Sequence, residues 1–131
     1  NNYSTLIFRC VKQFAIFTNF FHIFIIVERF YMSIKLDESN YDSVINSNAL
    51  VLVDFYTTWC GPCRMLAPIL EQLTGAVIAK VDGDVSPELV NKNNIRAYPT
   101  IIFFKNGVEA NRLVGVSGKQ QLQSIIDKLS T

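Results

Sequence analysis

Cys60 and Cys63 flank two residues in Trp59-Cys60-Gly61-Pro62-Cys63, with an apolar run before them and a helical pattern after. Thiols at this spacing, in a chain that alternates strands and helices, form a reversible dithiol–disulfide switch. The species that attacks a disulfide is a thiolate. At the start of a helix, Cys60 meets free backbone N–H groups and the positive end of the helix dipole, which favour its anion. Its sulfur is expected to ionise readily and to be exposed to a partner. Cys63, one turn on, is expected to face inward and to displace a partner from Cys60 by attacking the mixed disulfide. Gly61 keeps the turn tight. Pro62 takes an early helical position where a missing N–H costs little, and Arg64 adds positive charge beside the pair.

Asp54 is the second group able to do chemistry. It lies inside the apolar run Leu50–Tyr56, where burying a carboxylate is expensive and desolvation raises its pKa. A raised acid beneath the cysteines can take the proton of Cys63 as that sulfur attacks. Lys80, at the matching position of the next apolar strand, is placed to share a water or a charge contact with Asp54. The bland alternative is a strand-end carboxylate with solvent access. Pro99, in Ala97-Tyr98-Pro99-Thr100, leads into a strand. X–Pro is the common source of cis bonds, and a cis Pro99 facing the cysteines leaves neighbouring backbone groups free to pair with a substrate chain. An ordinary trans turn is the other reading. Trp59, the only tryptophan, is either a core filler or a flat contact surface beside the thiol. Gly115 is either a strand-end irregularity or a close-approach point for a partner backbone. Metal is the rival use of paired cysteines. A closed zinc site needs about four Cys or His ligands, and only the remote Cys10 and His22 remain, so no metal is expected.

These residues need elements to position them. Ile34–Leu36 reads as a short strand, and Asp37 or Ser39 as the cap of a helix running to about Asn46 with Tyr41, Val44 and Ile45 on one face. Leu50–Tyr56 is the continuous apolar run of a central strand covered on both faces. A helix follows from Cys60 to about Leu73, kinked at Pro68 and stopped by Gly75. Ala76–Val81 is the next strand. Ser86-Pro87-Glu88 reads as an N-cap, a first-turn proline and an acid. Thr100–Lys105, then Asn106-Gly107, then Val108 onward is a hairpin with a type I′ turn. Ser117-Gly118-Lys119-Gln120 reads as a capping box before a helix bearing Leu122, Ile125, Ile126 and Leu129. Phe55, Phe103 and Phe104 read as core. The order βαβαβαββα implies an α/β sandwich, with helices on both faces of a mixed sheet.

The chain has 131 residues and a net charge of +1, enough for one hydrophobic core and without a basic surface that would point to nucleic acid. Residues 1–31 differ in composition from 32–131. Their most apolar part, Phe14–Val27, is interrupted by Thr18, Asn19 and His22 and is shorter than the roughly 18 apolar residues of a spanning helix. Arg9 and Lys12 precede it as in a signal peptide, but no small-residue cleavage site follows. Met32-Ser33-Ile34-Lys35 opens the globular pattern. Residues 1–31 are therefore read as a translated leader or upstream sequence, with a membrane anchor or targeting segment as the alternative, and 32–131 as the domain.

Taken together and in order, Val53-Asp54-Phe55, Trp59-Cys60-Gly61-Pro62-Cys63-Arg64, Ala67-Pro68, Lys80-Val81-Asp82, Tyr98-Pro99-Thr100 and Lys105-Asn106-Gly107 resemble the thioredoxin family from about Met32 to Thr131. The resemblance implies the thioredoxin fold, a central mixed β-sheet of about five strands flanked by helices on both faces. It implies a protein-disulfide reductase with no bound cofactor, re-reduced with electrons from NADPH by thioredoxin reductase. Cys60 would then be the attacking cysteine, Cys63 the resolving one, Asp54 the buried proton acceptor with Lys80 near it, and Pro99 the cis proline. Trp59, Gly61, Pro62, Tyr98, Val114 and Gly115 would line the substrate groove. The partners implied are thioredoxin reductase and disulfide-containing clients. The protein would be a cytoplasmic monomer, or a membrane-tethered or organellar one if residues 1–31 are a genuine extension. A binding module that grips a partner regardless of redox state would use the same groove. Three departures stand out. The stretch between Pro68 and Lys80 is several residues shorter than in many members, so the motif helix is expected to end early. Tyr98 is bulkier than the aliphatic residue often found before the cis proline. Residues 1–31 have no counterpart in short members.

Overall fold

The computed structural model describes residues 33–131, so the expectations for residues 1–31, with Cys10 and His22, lie outside the described residues. The centre of the sheet is β2 (Leu50–Tyr56), buried at every position but the last. A strand covered on both faces needs apolar residues at successive positions, which this run supplies except at Asp54. On one side β2 pairs in parallel with β3 (Val77–Asp82), and on the other antiparallel with β4 (Thr100–Lys105). The edges are β1 (Ile34–Leu36), parallel to β3, and β5 (Val108–Val114), antiparallel to β4, giving the order β1-β3-β2-β4-β5. The helices are α1 (Tyr41–Ser47), α2 (Gly61–Leu70), α3 (Pro87–Lys92) and α4 (Lys119–Ser130). Element order and mixed sheet match the sequence expectation.

The period of two along each strand divides the interior into two layers. Val51, Val53 and Phe55 pack with Ala79, Val81, Ile102 and Phe104 against Tyr41 and Ile45 of α1 and Leu89 of α3. Leu50, Leu52, Ile101 and Phe103 pack against Leu66 and Leu70 of α2 and Leu122 and Ile126 of α4. Phe55, Phe103 and Phe104 are core, as expected. The same alternation puts Asp54 on the Leu50–Leu52 face, under α2. The buried stripe of α2 is Cys63, Leu66 and Leu70, so Asp54 and Cys63 belong to one sheet–helix layer.

The element ends differ from expectation in ways that side-chain competition explains. Asn40, not Asp37 or Ser39, holds the N-cap position of α1. The Asp37 carboxylate is occupied locally, accepting from the Ser39 amide at 2.8 Å and the Ser39 hydroxyl at 2.5 Å. Helix α2 ends at Leu70 rather than Leu73, in line with the short Pro68–Lys80 stretch. Gln72 and Leu73 donate to the carbonyls of Ile69 and Leu70, the tighter pattern in which helices commonly finish. Strand β3 runs one residue further along than Ala76–Val81. Ser86 holds the N-cap position of α3, followed by Pro87 and Glu88 in the first turn, as expected, but its hydroxyl donates to Glu38 at 3.1 Å instead of closing a cap bond. The capping box at Ser117 does not form. Gly118 is the N-cap of α4, one residue later, which moves Gln120 out of register for a reciprocal bond. In the β4–β5 hairpin Asn106 and Gly107 have φ of 51° and 82°, both positive as a type I′ turn requires. A register shift between Phe103 and Phe104 had no signal in the sequence.

Candidate redox site

Strand register assembles the site. At the carboxyl end of β2, Tyr56 sits beside Asp82, the last residue of β3, and Phe55 beside Thr100, the first of β4. Thr100 in turn faces Val114, the last residue of β5. Trp59-Cys60, Tyr98-Pro99 and Val114-Gly115 therefore leave the sheet at one edge. Open α/β sheets bind ligands beyond the carboxyl ends of their parallel strands, because loops converge there. Asp54 and Lys80 lie two residues inside that edge and are register partners.

Cys60 is the N-cap of α2, with extended backbone at φ −81° and ψ 110°. Its Sγ accepts from the Cys63 amide at 3.2 Å. The two cysteines form a disulfide with a Cα–Cα separation of 5.3 Å. Gly61 and Pro62 are the exposed first residues of the helix. The expectation of an exposed Cys60 needs correction: it is 5% exposed and Cys63 4%. The amide bond and the disulfide fold the Cys60 sulfur over the first turn instead of outward. Arg64 turns its guanidinium to the Thr58 carbonyl at 3.4 Å.

Asp54 is 2% exposed. Burial pushes its pKa up to about 7, and the charge of Lys80 offsets part of that rise. Its Oδ1 and the Thr57 Oγ1 are the buried side-chain oxygens without a hydrogen-bond partner among the described residues. The reading of Asp54 as a solvated strand-end carboxylate is thus overturned.

The Tyr98–Pro99 bond is cis and Pro99 is buried. Its carbonyl accepts from the Gly115 amide at 2.9 Å. Gly115 has φ of 91° with open space where a Cβ would stand, so its backbone conformation by itself calls for glycine there. Trp59 is 65% exposed and therefore not a core filler. Its indole N–H donates to Asp84 at 2.9 Å. Its ring meets that of Tyr98 edge-on, with centroids 6.1 Å apart. Cys60 follows Trp59 and Pro99 follows Tyr98, so this contact brings the cis proline to the cysteine motif. Val114 is exposed. Two neighbours of the site were missed from sequence, Gly83 and Asp84. The turn-forming Asp82-Gly83-Asp84 after an apolar strand was the available signal.

A family model described as Thioredoxin matches residues 32–128. The chain belongs to the thioredoxin family. It is 42% identical over 100 residues to the thioredoxin of Staphylococcus epidermidis, covering 72% of this chain and 95% of that one. Among solved structures it resembles a mutant thioredoxin from Halobacterium salinarum, with a TM-score of 0.71, 31% identity, and coverage of 77% and 96% of the two chains. Plasmodium falciparum thioredoxin gives a TM-score of 0.67, with 38% identity and coverage of 74% and 98%. A thioredoxin-family protein with this cysteine pair is a dithiol–disulfide oxidoreductase. Among the described residues no group of three or more His, Cys, Asp or Glu could hold a metal. No helix among them is long and apolar enough to cross a membrane.

Proposed function

We propose that this thioredoxin-family protein reduces disulfides of client proteins, with Cys60 attacking, Cys63 resolving and Asp54 accepting a proton. The observation that carries the reading is the Cys60 N-cap. The amide that reaches its sulfur in the disulfide is equally placed to hold a thiolate. The Cys60 thiolate forms a bond to one client sulfur and the client disulfide breaks, its other sulfur leaving as a thiolate. Asp54, on the layer it shares with Cys63, takes the Cys63 proton. The Cys63 thiolate then bonds to Cys60 Sγ and expels the first client sulfur. Two electrons have passed to the client, and the protein holds its disulfide. Asp54 acts as a base only when ionised, and its pKa near neutrality allows proton uptake and release at working pH. Lys80 keeps that pKa from rising further. Thioredoxin reductase, drawing on NADPH, restores the dithiol.

Trp59, Gly61, Pro62, Tyr98, Pro99, Val114 and Gly115 line the client groove in this reading. The Gly115 amide is already bonded to Pro99, so the client backbone pairs instead with the backbone of Tyr98, which has no hydrogen bond among the described residues. Residues 32–131 act as the domain, as a monomer in the cytoplasm; a genuine extension at 1–31 would change the compartment and leave the chemistry as it is. The test is insulin reduction by the full chain. Cys60→Ser should abolish catalysis. Cys63→Ser should attack once and remain as a mixed disulfide at Cys60, detectable by intact mass. Catalytic turnover by Cys60→Ser would refute the assignment.

A further inference from the structure

The Tyr98 side chain occupies space that exists only because residue 83 is glycine. A Cβ at Gly83 would overlap the Tyr98 hydroxyl and lie 2.7 and 2.8 Å from two of its ring carbons. The same ring meets Trp59 edge-on, and Trp59 is itself tethered to the Asp84 carboxylate. Gly83, Tyr98, Trp59 and Asp84 are therefore one interlocked unit joining three loops. Its outer surface is two aromatic rings and a carboxylate. Trp59 and Asp84 are exposed and Tyr98 half-buried, directly beside Cys60 and Pro99.

We propose that Trp59, Tyr98 and Asp84 form a specificity-determining wall that favours clients carrying lysine or arginine next to the attacked cysteine. This rests on the client-reduction reading above and names the client chemistry. Aromatic faces attract cations, and a carboxylate at the rim adds to that field. Burial raises the Tyr98 phenol pKa most, and the negative charges of Asp84 and Asp82 raise it further. The arginines nearest in sequence do not fill the role. Arg64 is turned to the Thr58 carbonyl, and Arg96 is exposed, with no salt bridge to Asp84 among the described residues. The interlock holds both rings in place before a client arrives, so little side-chain entropy is lost on binding.

The experiment uses the full chain, pre-reduced, and three peptides, each closed by one intramolecular disulfide. They differ only in the residue after each cysteine: Lys, Glu or Ala. Each reduction rate is divided by that peptide's rate with dithiothreitol, which removes the intrinsic effect of charge on the disulfide. The normalised Lys-to-Glu ratio should be about three to five, as for one exposed cation–π contact, and should shrink at high salt. Tyr98→Ile and Asp84→Asn should each lower it at least twofold, while Tyr98→Phe, which keeps the ring, should retain it. A ratio near one for the unsubstituted chain overturns the proposal. So does a ratio that stays the same in Tyr98→Ile and Asp84→Asn. Failure to reduce even the Ala peptide would defeat the reductase reading itself, and the proposal with it.

Discussion

Asp54 is the residue on which the chemistry and the packing disagree. A central strand in this position calls for an apolar side chain, and Val53 and Phe55 beside it are fully buried. The carboxylate is kept where it costs most, on the face covered by the helix that carries Cys63. Its desolvation and the opposing charge of Lys80 together set its pKa near 7. Asp54→Asn keeps the shape and removes the proposed base. In a turnover assay with excess reductant, this variant should slow disulfide reduction at pH 7 by about tenfold, below the usual range for a general base because buffer can also take the thiol proton. The rate of the unsubstituted chain should rise with pH through about 7 as Asp54 ionises, and the variant should lose that inflection. An inflection unchanged in Asp54→Asn would assign it to a cysteine instead.

Among the elements, the turn of the β4–β5 hairpin was legible to the residue, because Asn106-Gly107 between two apolar runs admits one turn type, while the register shift at Phe103 and Phe104 was not. Gly107→Ala should cost about 2 kcal/mol in denaturant unfolding, since an alanine at positive φ is strained. Part of that loss is contact: an alanine Cβ would overlap the Asn46 side chain. Adding Asn46→Ala should recover the contact share and leave the backbone share, and full recovery would show that strain contributes nothing. The central strands and α4 were legible for a different reason, their apolar patterns, while the ends of α2 and β3 were not. The caps were not. Asp37, Ser86 and Ser117 each have an oxygen of the right type, but the Asp37 carboxylate is taken by Ser39 and the Ser86 hydroxyl goes to Glu38. Local sequence cannot report such competition. The geometry of the candidate site was legible where chemistry restricts residue type, in the Cys60–Cys63 pair, the buried Asp54 and the cis Pro99. It was not at Gly83, whose meaning depends on a ring fifteen positions away.

For the whole molecule, the buried carboxylate makes global stability depend on pH. Below the ordinary carboxylate value of 3.8 Asp54 is protonated folded and unfolded, and contributes nothing. Between 3.8 and about 7 the native state holds a proton that the unfolded chain has lost. Stability therefore falls as pH rises through this window, and the loss is complete above about 7. A shift of this size corresponds to something on the order of 4 kcal/mol. Asp37 and Glu109, whose pKa values are lowered by Ser39 and Arg112 respectively, act with the opposite sign and at more acid pH. Their effect is confined to the acid end, below their ordinary values of 3.8 and 4.5. The two packed layers on either face of the sheet, with Leu66, Leu70, Leu122 and Ile126 fully buried on the Asp54 side, are what carry the cost. Asp54→Asn does not titrate, so it should be more stable than the unsubstituted chain at pH 8 by about 2 kcal/mol, the remainder being lost to a buried amide without full hydrogen bonding. At pH 5, where only about 2 kcal/mol of the carboxylate's cost has accrued, the amide cost offsets it and the gain should vanish. Guanidinium unfolding of both chains, with the disulfide intact, measures the difference at each pH. An equal gain at pH 5 and pH 8 would mean that packing, not charge, separates the two chains, and that Asp54 ionises in the folded protein as freely as it does in the unfolded one.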